Sequence, residues 1–210
     1  QMGHLWRTTG DISAIFDGIR DHGTYKTLGV LQILDLQDTL RRYAGPDGWN
    51  DPDMLQVGNG MSESQDRAHF TMWCMLAAPL MAGNDLRAMS PSTIEILMNK
   101  EVIAIDQDPL GIQGFPYAKE GPVHTWLKPL SGGRWAVCFL NRGTEPVPLE
   151  IDWKRMVAKD PLNALELDPV AYAYAVRDVW KKKDMGTAAG TMTTLLPGHD
   201  VFCVVLTPVK

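Results

Sequence analysis

Hydrophobic positions change their rhythm about halfway along the chain. Up to about Pro109, short apolar segments ending in Asp or Asn alternate with longer stretches of helical spacing, the pattern of parallel strands each followed by a helix. Residues 4–7 read as a strand running into the polar turn Thr8-Thr9-Gly10-Asp11, after which Ile12, Ile15, Phe16 and Ile19 recur at helical spacing. Leu36, Leu40 and Tyr43 mark a further helical turn or two. Residues 49–55 are short and extended, because Pro52 disfavours the helical region for Asp51. Ser62-Glu63-Ser64-Gln65 has the form of a capping box. The helix it opens places Phe70, Trp73, Cys74, Ala77 and Ala78 on one face and Met72, Met75 and Leu76 elsewhere, so it is expected to be buried nearly all round and to end at Pro79. Residues 80–85 read as a buried strand ending in amide and acid, and Ser90-Pro91 opens another helix with proline at its first position.

From Gly114 onward the texture is different. Residues 123–128, 134–140, 146–151, 170–180, 190–195 and 200–206 are short runs rich in β-branched and aromatic side chains, separated by Gly, Pro or charged turns. The runs 135–140 and 201–206 are apolar on both faces, as central strands of a small sandwich are. Residues 108–116, with their Pro and Gly, read as the linker. The predicted division is residues 1–112 and 113–210.

The first part holds about three strand-then-helix units, whereas a complete (β/α)8 barrel takes about 250 residues. The expected fold class is therefore α/β plus all-β: the C-terminal part of a (β/α)8 TIM barrel followed by an antiparallel β-sandwich. The chain starts at Gln1 rather than Met, and we expect it to begin within the barrel.

Composition mainly excludes. With 45% hydrophobic residues the chain is not disordered. Twenty Lys+Arg against 25 Asp+Glu give a net charge of −5, and Lys181, Lys182 and Lys183 form the one tight basic cluster, so neither a nucleic-acid partner nor an anionic membrane surface is expected. No apolar run approaches the roughly 20 residues of a membrane span. Cys74, Cys138 and Cys203 are odd in number, lack CxxC spacing and sit among apolar neighbours, so buried free thiols are expected.

Candidate chemistry gathers at the predicted strand ends: Arg7, Asp11, Asp51 and Asp53, with Asn84 and Asp85 as outlying members. Strand C-termini of such a barrel converge on one mouth. Acid pairs there suit glycoside hydrolysis, in which one carboxyl group protonates the leaving oxygen and another attacks the anomeric carbon or activates water. Spacing alone pairs Asp11 with Asp53 and leaves Arg7 to hold a carboxylate or a sugar hydroxyl. The competing reading makes the same acids helix caps and turn formers. No HxxxH or calcium-loop spacing occurs, so no metal is expected, and no cofactor is implied. A nucleotide-binding domain would need a GxGxxG or Walker sequence after a strand, and neither occurs.

Other residues have simpler readings. His69 reads as a partly exposed helical histidine rather than a ligand. Met72, Met75, Met81, Met89 and Met98 read as core filling. Trp126, Trp135, Trp153 and Trp180 read as core, although an aromatic platform built from them would make the chain a non-catalytic carbohydrate-binding or scaffolding module.

Four motifs in register carry a resemblance: Trp6-Arg7-Thr8-Thr9-Gly10-Asp11-Ile12, Gly48-Trp49-Asn50-Asp51-Pro52-Asp53-Met54-Leu55, residues 77–86 and residues 102–111. The chain resembles glycoside hydrolase family 27, the α-galactosidases or melibiases with their α-N-acetylgalactosaminidase relatives. Residues 115–210 resemble the family's C-terminal β domain more loosely. The resemblance implies retaining hydrolysis of a terminal α-linked galactose, with Asp11 as the general acid/base at the end of the sixth barrel strand. It makes Arg7 a contact to sugar hydroxyls, Asp53 a carboxylate that hydrogen-bonds the galactose, Met54 an apolar wall beside it and Asp51 a structural acid. This revises the pairing that spacing suggests. The family's nucleophile is an aspartate at the end of the fourth strand in a lysine-containing motif, which nothing in these 210 residues matches. It is expected upstream of Gln1, so the implied partners are an α-galactoside and a missing N-terminal barrel segment, and the isolated chain is expected to be inactive. An open strand edge would also suit a homo-oligomer. The family favours a periplasmic or secreted location.

Overall fold

The computed structural model describes residues 3–209. Strand β1 (Leu5–Arg7) pairs in parallel with β4 (Trp49–Asp51), Leu5 opposite Trp49 and Arg7 opposite Asp51. The next parallel step is a single bridge, Leu55 to Ala82. Between β1 and β4 lie the hairpin β2 (Ile19–Asp21) and β3 (Lys26–Leu28), helix α1 (Val30–Gln37) and a 3-10 turn over Asp38–Tyr43. Helices α2 (Glu63–Met75), α3 (Pro91–Leu97) and α4 (Lys100–Asp106) follow. These are the strand-then-helix units of part of a (β/α)8 barrel.

The expected helix over residues 12–19 is not formed. Gly18 has φ 111°, and the carbonyls of Ile15 and Phe16 accept from the N–H groups of Val30 and Leu31. The segment thus satisfies the first N–H groups of α1 instead of bonding to itself, and Ile12 and Phe16 are buried by that docking. Asp11 accordingly caps no helix. Residues 80–85 do not form a buried strand either: Ala82 bridges Leu55 on one side only, and Met81 is 43% exposed. Helix α2 ends at Met75, where Ala77 turns to φ 52°, rather than at Pro79.

Ser62 does cap α2. Its hydroxyl accepts from Gln65 N, and Gln65 Oε1 accepts from Ser62 N. Ala68, Phe70, Met72, Trp73, Cys74 and Met75 of this helix are buried, so it forms the centre of the larger core. Ser90 caps α3, which has Pro91 in its first turn. Met81 and Met98 are exposed, so of the methionine series Met72 and Met75 alone lie in the core, because α3 and the Ala82 segment run along the surface.

The second part is built on a six-stranded antiparallel sheet. Its strands are β5 (Phe115–Glu120), β6 (Val123–Leu130), β7 (Arg134–Asn141), β11 (Tyr174–Asp178), β12 (Lys183–Thr187) and β14 (Val201–Pro208), in the order β12-β11-β14-β7-β6-β5. β8 (Val147–Asp152) and β13 (Thr191–Leu196) make a second layer, and β9 (Ala158–Lys159) pairs with β10 (Glu166–Leu167). The central strands β7 and β14 show why both their faces are apolar. Ala136, Cys138, Leu140, Val201 and Cys203 pack on the core that contains α2, while Trp135, Val137, Phe139, Phe202, Val204 and Leu206 pack towards Leu149, Ile151 and Leu196 of the outer layer. All three cysteines are free and buried. Trp126, Trp135 and Trp153 are buried too, and Trp180 donates its indole N–H to Thr71, which leaves no aromatic platform among them.

Bidentate arginine bridges join the two parts. Arg41 grips Asp160 at 2.8 and 2.6 Å, Arg67 grips Asp200 at 2.9 and 2.7 Å, Arg142 grips Asp35 at 2.6 and 2.7 Å, and Arg177 grips Glu101 at 2.8 and 2.7 Å. Lys128, fully buried on β6, donates to the Cys74 carbonyl near the end of α2 at 2.8 Å.

Candidate active site

The parallel pairing of β1 with β4 places Arg7 opposite Asp51, so the residues just beyond both strands share one end of the sheet. Thr8 continues the ladder, its N–H donating to Asp51 O at 2.9 Å, and its hydroxyl bonds the same carbonyl. Gln37 Nε2, buried at the end of α1, donates to Thr8 Oγ1 at 2.9 Å and fixes that turn. Nothing in the sequence singled out Thr8 and Gln37 for this, since a glutamine on a helix ordinarily faces water.

Arg7, Asp11 and Asp53 meet here. Arg7 Nη2 donates to Asp53 Oδ2 at 2.7 Å and to Asp11 Oδ1 at 3.2 Å. The two carboxylates are otherwise unlike. The Asp53 side chain is 9% exposed and also accepts from Ile12 N at 2.9 Å and Met54 N at 2.7 Å. The Asp11 side chain is 71% exposed, with Arg7 as its one ion-pair partner among the described residues. A carboxylate held by three donors is a fixed anchor, whereas one reaching into solvent can exchange a proton with a bound molecule.

Asp53 adopts φ 87°, a region that non-glycine residues seldom occupy. Asp51, 3% exposed, accepts from Asp53 N at 2.8 Å and so acts on the backbone rather than facing the mouth. Met54 is 38% exposed beside the anchor. Gly83 crosses so close behind it that an added Cβ would sit 2.6 Å from Leu55 O and 2.6 Å from Met54 Sδ, so a glycine is required there.

The outlying candidates are elsewhere. Asp85 turns outward into a bidentate pair with Arg87 at 2.9 and 2.8 Å, the local geometry of two exposed residues in one turn. The buried Oδ1 of Asn84 has no hydrogen-bond partner among the described residues. His69 is not partly exposed but wholly buried, because α2 is covered on every side. Its Nε2 accepts from Gln56 N, and burial pushes its pKa down to about 3.

Carboxylates and an arginine thus meet at the strand ends of a partial barrel, with a β-sandwich packed beside it. Comparison with known proteins agrees. Residues 1–108 match the family profile described as alpha galactosidase A, and residues 120–206 match the alpha galactosidase C-terminal beta sandwich domain. The chain belongs to the melibiase family, glycoside hydrolase family 27. It is 44% identical over 207 residues to alpha-galactosidase A of Cellvibrio japonicus, covering 99% of this chain and 51% of that protein. It is 37% identical to the alpha-N-acetylgalactosaminidase of Gallus gallus, covering 99% of this chain and 46% of that one. The structure superposes on alpha-galactosidase I from Mortierella vinacea with a TM-score of 0.83 at 28% identity, covering 98% of this chain and 53% of that one. The chain thus spans about half the length of the relatives it matches.

Proposed function

We propose that this chain forms the acid/base-bearing part of a retaining α-galactosidase. The observation that carries the reading is the contrast between its two site carboxylates. Asp11 is exposed and lightly held, so it is free to give a proton to the departing glycosidic oxygen and take one from the attacking water. Asp53 has its oxygens engaged by Arg7, Ile12 N–H and Met54 N–H, which suits a fixed sugar-binding anchor better than a nucleophile. Arg7 links them and faces the same opening, where it can also meet sugar hydroxyls, and Met54 offers an apolar wall.

The proposal assigns the nucleophile to a segment outside these 210 residues. The surface supports that part of the proposal. Among the described residues β1 pairs only with β4, and Leu5, Trp6, Met54 and Met81 stand 38–46% exposed around the two open edges. Unpaired edges beside apolar side chains are surfaces that further strands would cover. The name of the Gallus gallus relative leaves N-acetylgalactosamine as an alternative sugar.

The test is hydrolysis of p-nitrophenyl α-galactoside by the 210-residue chain alone and by the same chain joined to the proposed nucleophile-bearing segment. The proposal expects turnover from the joined protein alone. Robust turnover by the 210 residues would overturn the assignment of roles.

A further inference from the structure

Three polar side chains of α2 lie along one stripe of the helix, at positions 66, 69 and 73, and all three are buried, being 5%, 0% and 0% exposed. Each makes one bond to the backbone of the segment that carries Asp53. Trp73 Nε1 donates to Asp53 O at 2.8 Å, His69 Nε2 accepts from Gln56 N at 3.0 Å, and Asp66 Oδ2 accepts from Gly58 N at 2.9 Å. The His69 ring meets Trp73 edge-on, with centroids 4.1 Å apart, and so holds the indole in place.

This arrangement is costly. Asp66 Oδ1 and His69 Nδ1 are buried with no partner among the described residues, and an unmet buried polar atom is destabilising. Burial also pushes the Asp66 carboxyl up to about 6, against the Gly58 N–H that lowers it. Apolar side chains would spare Asp66 Oδ1 and His69 Nδ1 but deprive Asp53 O, Gln56 N and Gly58 N of these bonds, so the polar groups need a reason in the backbone they hold. The segment they hold supplies one. β4 ends at Asp51, and beyond it Leu55 makes a single bridge to Ala82. Asp53 and Gly58 have φ 87° and 82°. Residues 53–58 therefore lack a continuous ladder and start from an unfavourable backbone conformation at Asp53, and the α2 side chains take the place of ladder bonds.

We propose that Asp66, His69 and Trp73 form a clasp that positions Asp53 and Met54 for sugar binding. The clasp rests on the galactosidase reading above for its consequence and on geometry for its existence. These are positioning residues, acting through the backbone of residues 53–58.

The test uses the complete enzyme with Trp73→Phe, which keeps a ring and removes the donor, and His69→Leu, which removes the acceptor. Met75→Ala, a cavity on the opposite side of α2, is the control for simple destabilisation. The clasp predicts that KM for p-nitrophenyl α-galactoside and the inhibition constant for galactose both rise about tenfold in the two clasp variants, with kcat changed far less, the effect of misplacing a group that binds ground state and transition state alike. Hydrogen exchange of the 53–58 peptide, read by mass spectrometry, should be faster in both, whereas Met75→Ala lowers Tm and moves neither readout. If His69→Leu does not fold, Trp73→Phe carries the test by itself. Lower Tm with unchanged KM, unchanged galactose inhibition and unchanged exchange would overturn the clasp. A wild-type enzyme without galactosidase activity would overturn the proposed function instead, and peptide exchange would still decide whether the clasp exists.

Discussion

Arg7 Nη2 lies 2.7 Å from Asp53 Oδ2, and the same nitrogen reaches Asp11 Oδ1 at 3.2 Å. One guanidinium thus ties a buried carboxylate to an exposed one. The buried partner gives Arg7 a fixed position, and under the proposed function the longer, exposed contact is the one surrendered to a sugar.

Asp53→Asn in the complete enzyme tests the anchor. The amide replaces a charge-assisted acceptor of Arg7, with a loss of about 1.5–3 kcal/mol in substrate binding. KM should rise on every α-galactoside regardless of leaving group, and added azide should restore nothing. A β-galactosyl azide product would identify Asp53 as the nucleophile and reverse the assignment.

Asp160 tests the bond between the two parts. Burial alone would raise its pKa, but the Arg41 fork together with Leu162 N–H and the Asn163 amide brings it down to about 2. A depressed carboxylate stabilises above its unfolded value near 3.8, and that contribution is lost as pH falls towards 2. Asp160→Ala leaves Arg41 buried without its partner and should cost about 3–5 kcal/mol at neutral pH. Urea unfolding that matches wild type within error would show the pair to be dispensable.

Asp106 works in the opposite direction. Burial raises it to about 6, although Lys128 and Gln107 both lower it, and its Oδ1 has no partner. A raised carboxyl favours the fold fully below about 3.8, and that contribution is lost as pH rises through about 6. Asp106→Asn should therefore stabilise by about 1–2 kcal/mol at pH 7.5 and gain nothing at pH 4. An equal effect at both values would remove the titration from the explanation.

What the sequence made legible was mostly local. The Ser62 cap, the Ser90-Pro91 start and the extended Asp51-Pro52 step depend on neighbouring residues, so the chain states them directly. The same holds for the doubly apolar runs of β7 and β14, where two cores meet one strand pair. Residues 12–19 were misleading because their helical spacing serves docking onto α1, a contact made by residues that follow ten or more positions later. Strand β12 was not legible because Lys183–Thr187 is polar and turns at Gly186, φ 87°. β5 was obscured by Pro116, which an edge strand tolerates. At the site, the motifs pointed to Arg7, Asp11, Asp53 and Met54. Which carboxylate is buried depends on Ile12 N–H and on α2, and no spacing encodes that.

Asp11→Ala in the complete enzyme tests the central claim most directly. Substrates with alkoxide-like sugar leaving groups should lose far more rate than aryl galactosides, whose phenolates depart without protonation. Glycosyl-enzyme should then accumulate on the aryl substrates, because the side chain that deprotonates water is gone. Azide, which needs no base, should intercept it and yield α-galactosyl azide with retained configuration. Equal losses on good and poor leaving groups, with no azide product, would contradict the account and leave Asp11 a binding or structural residue.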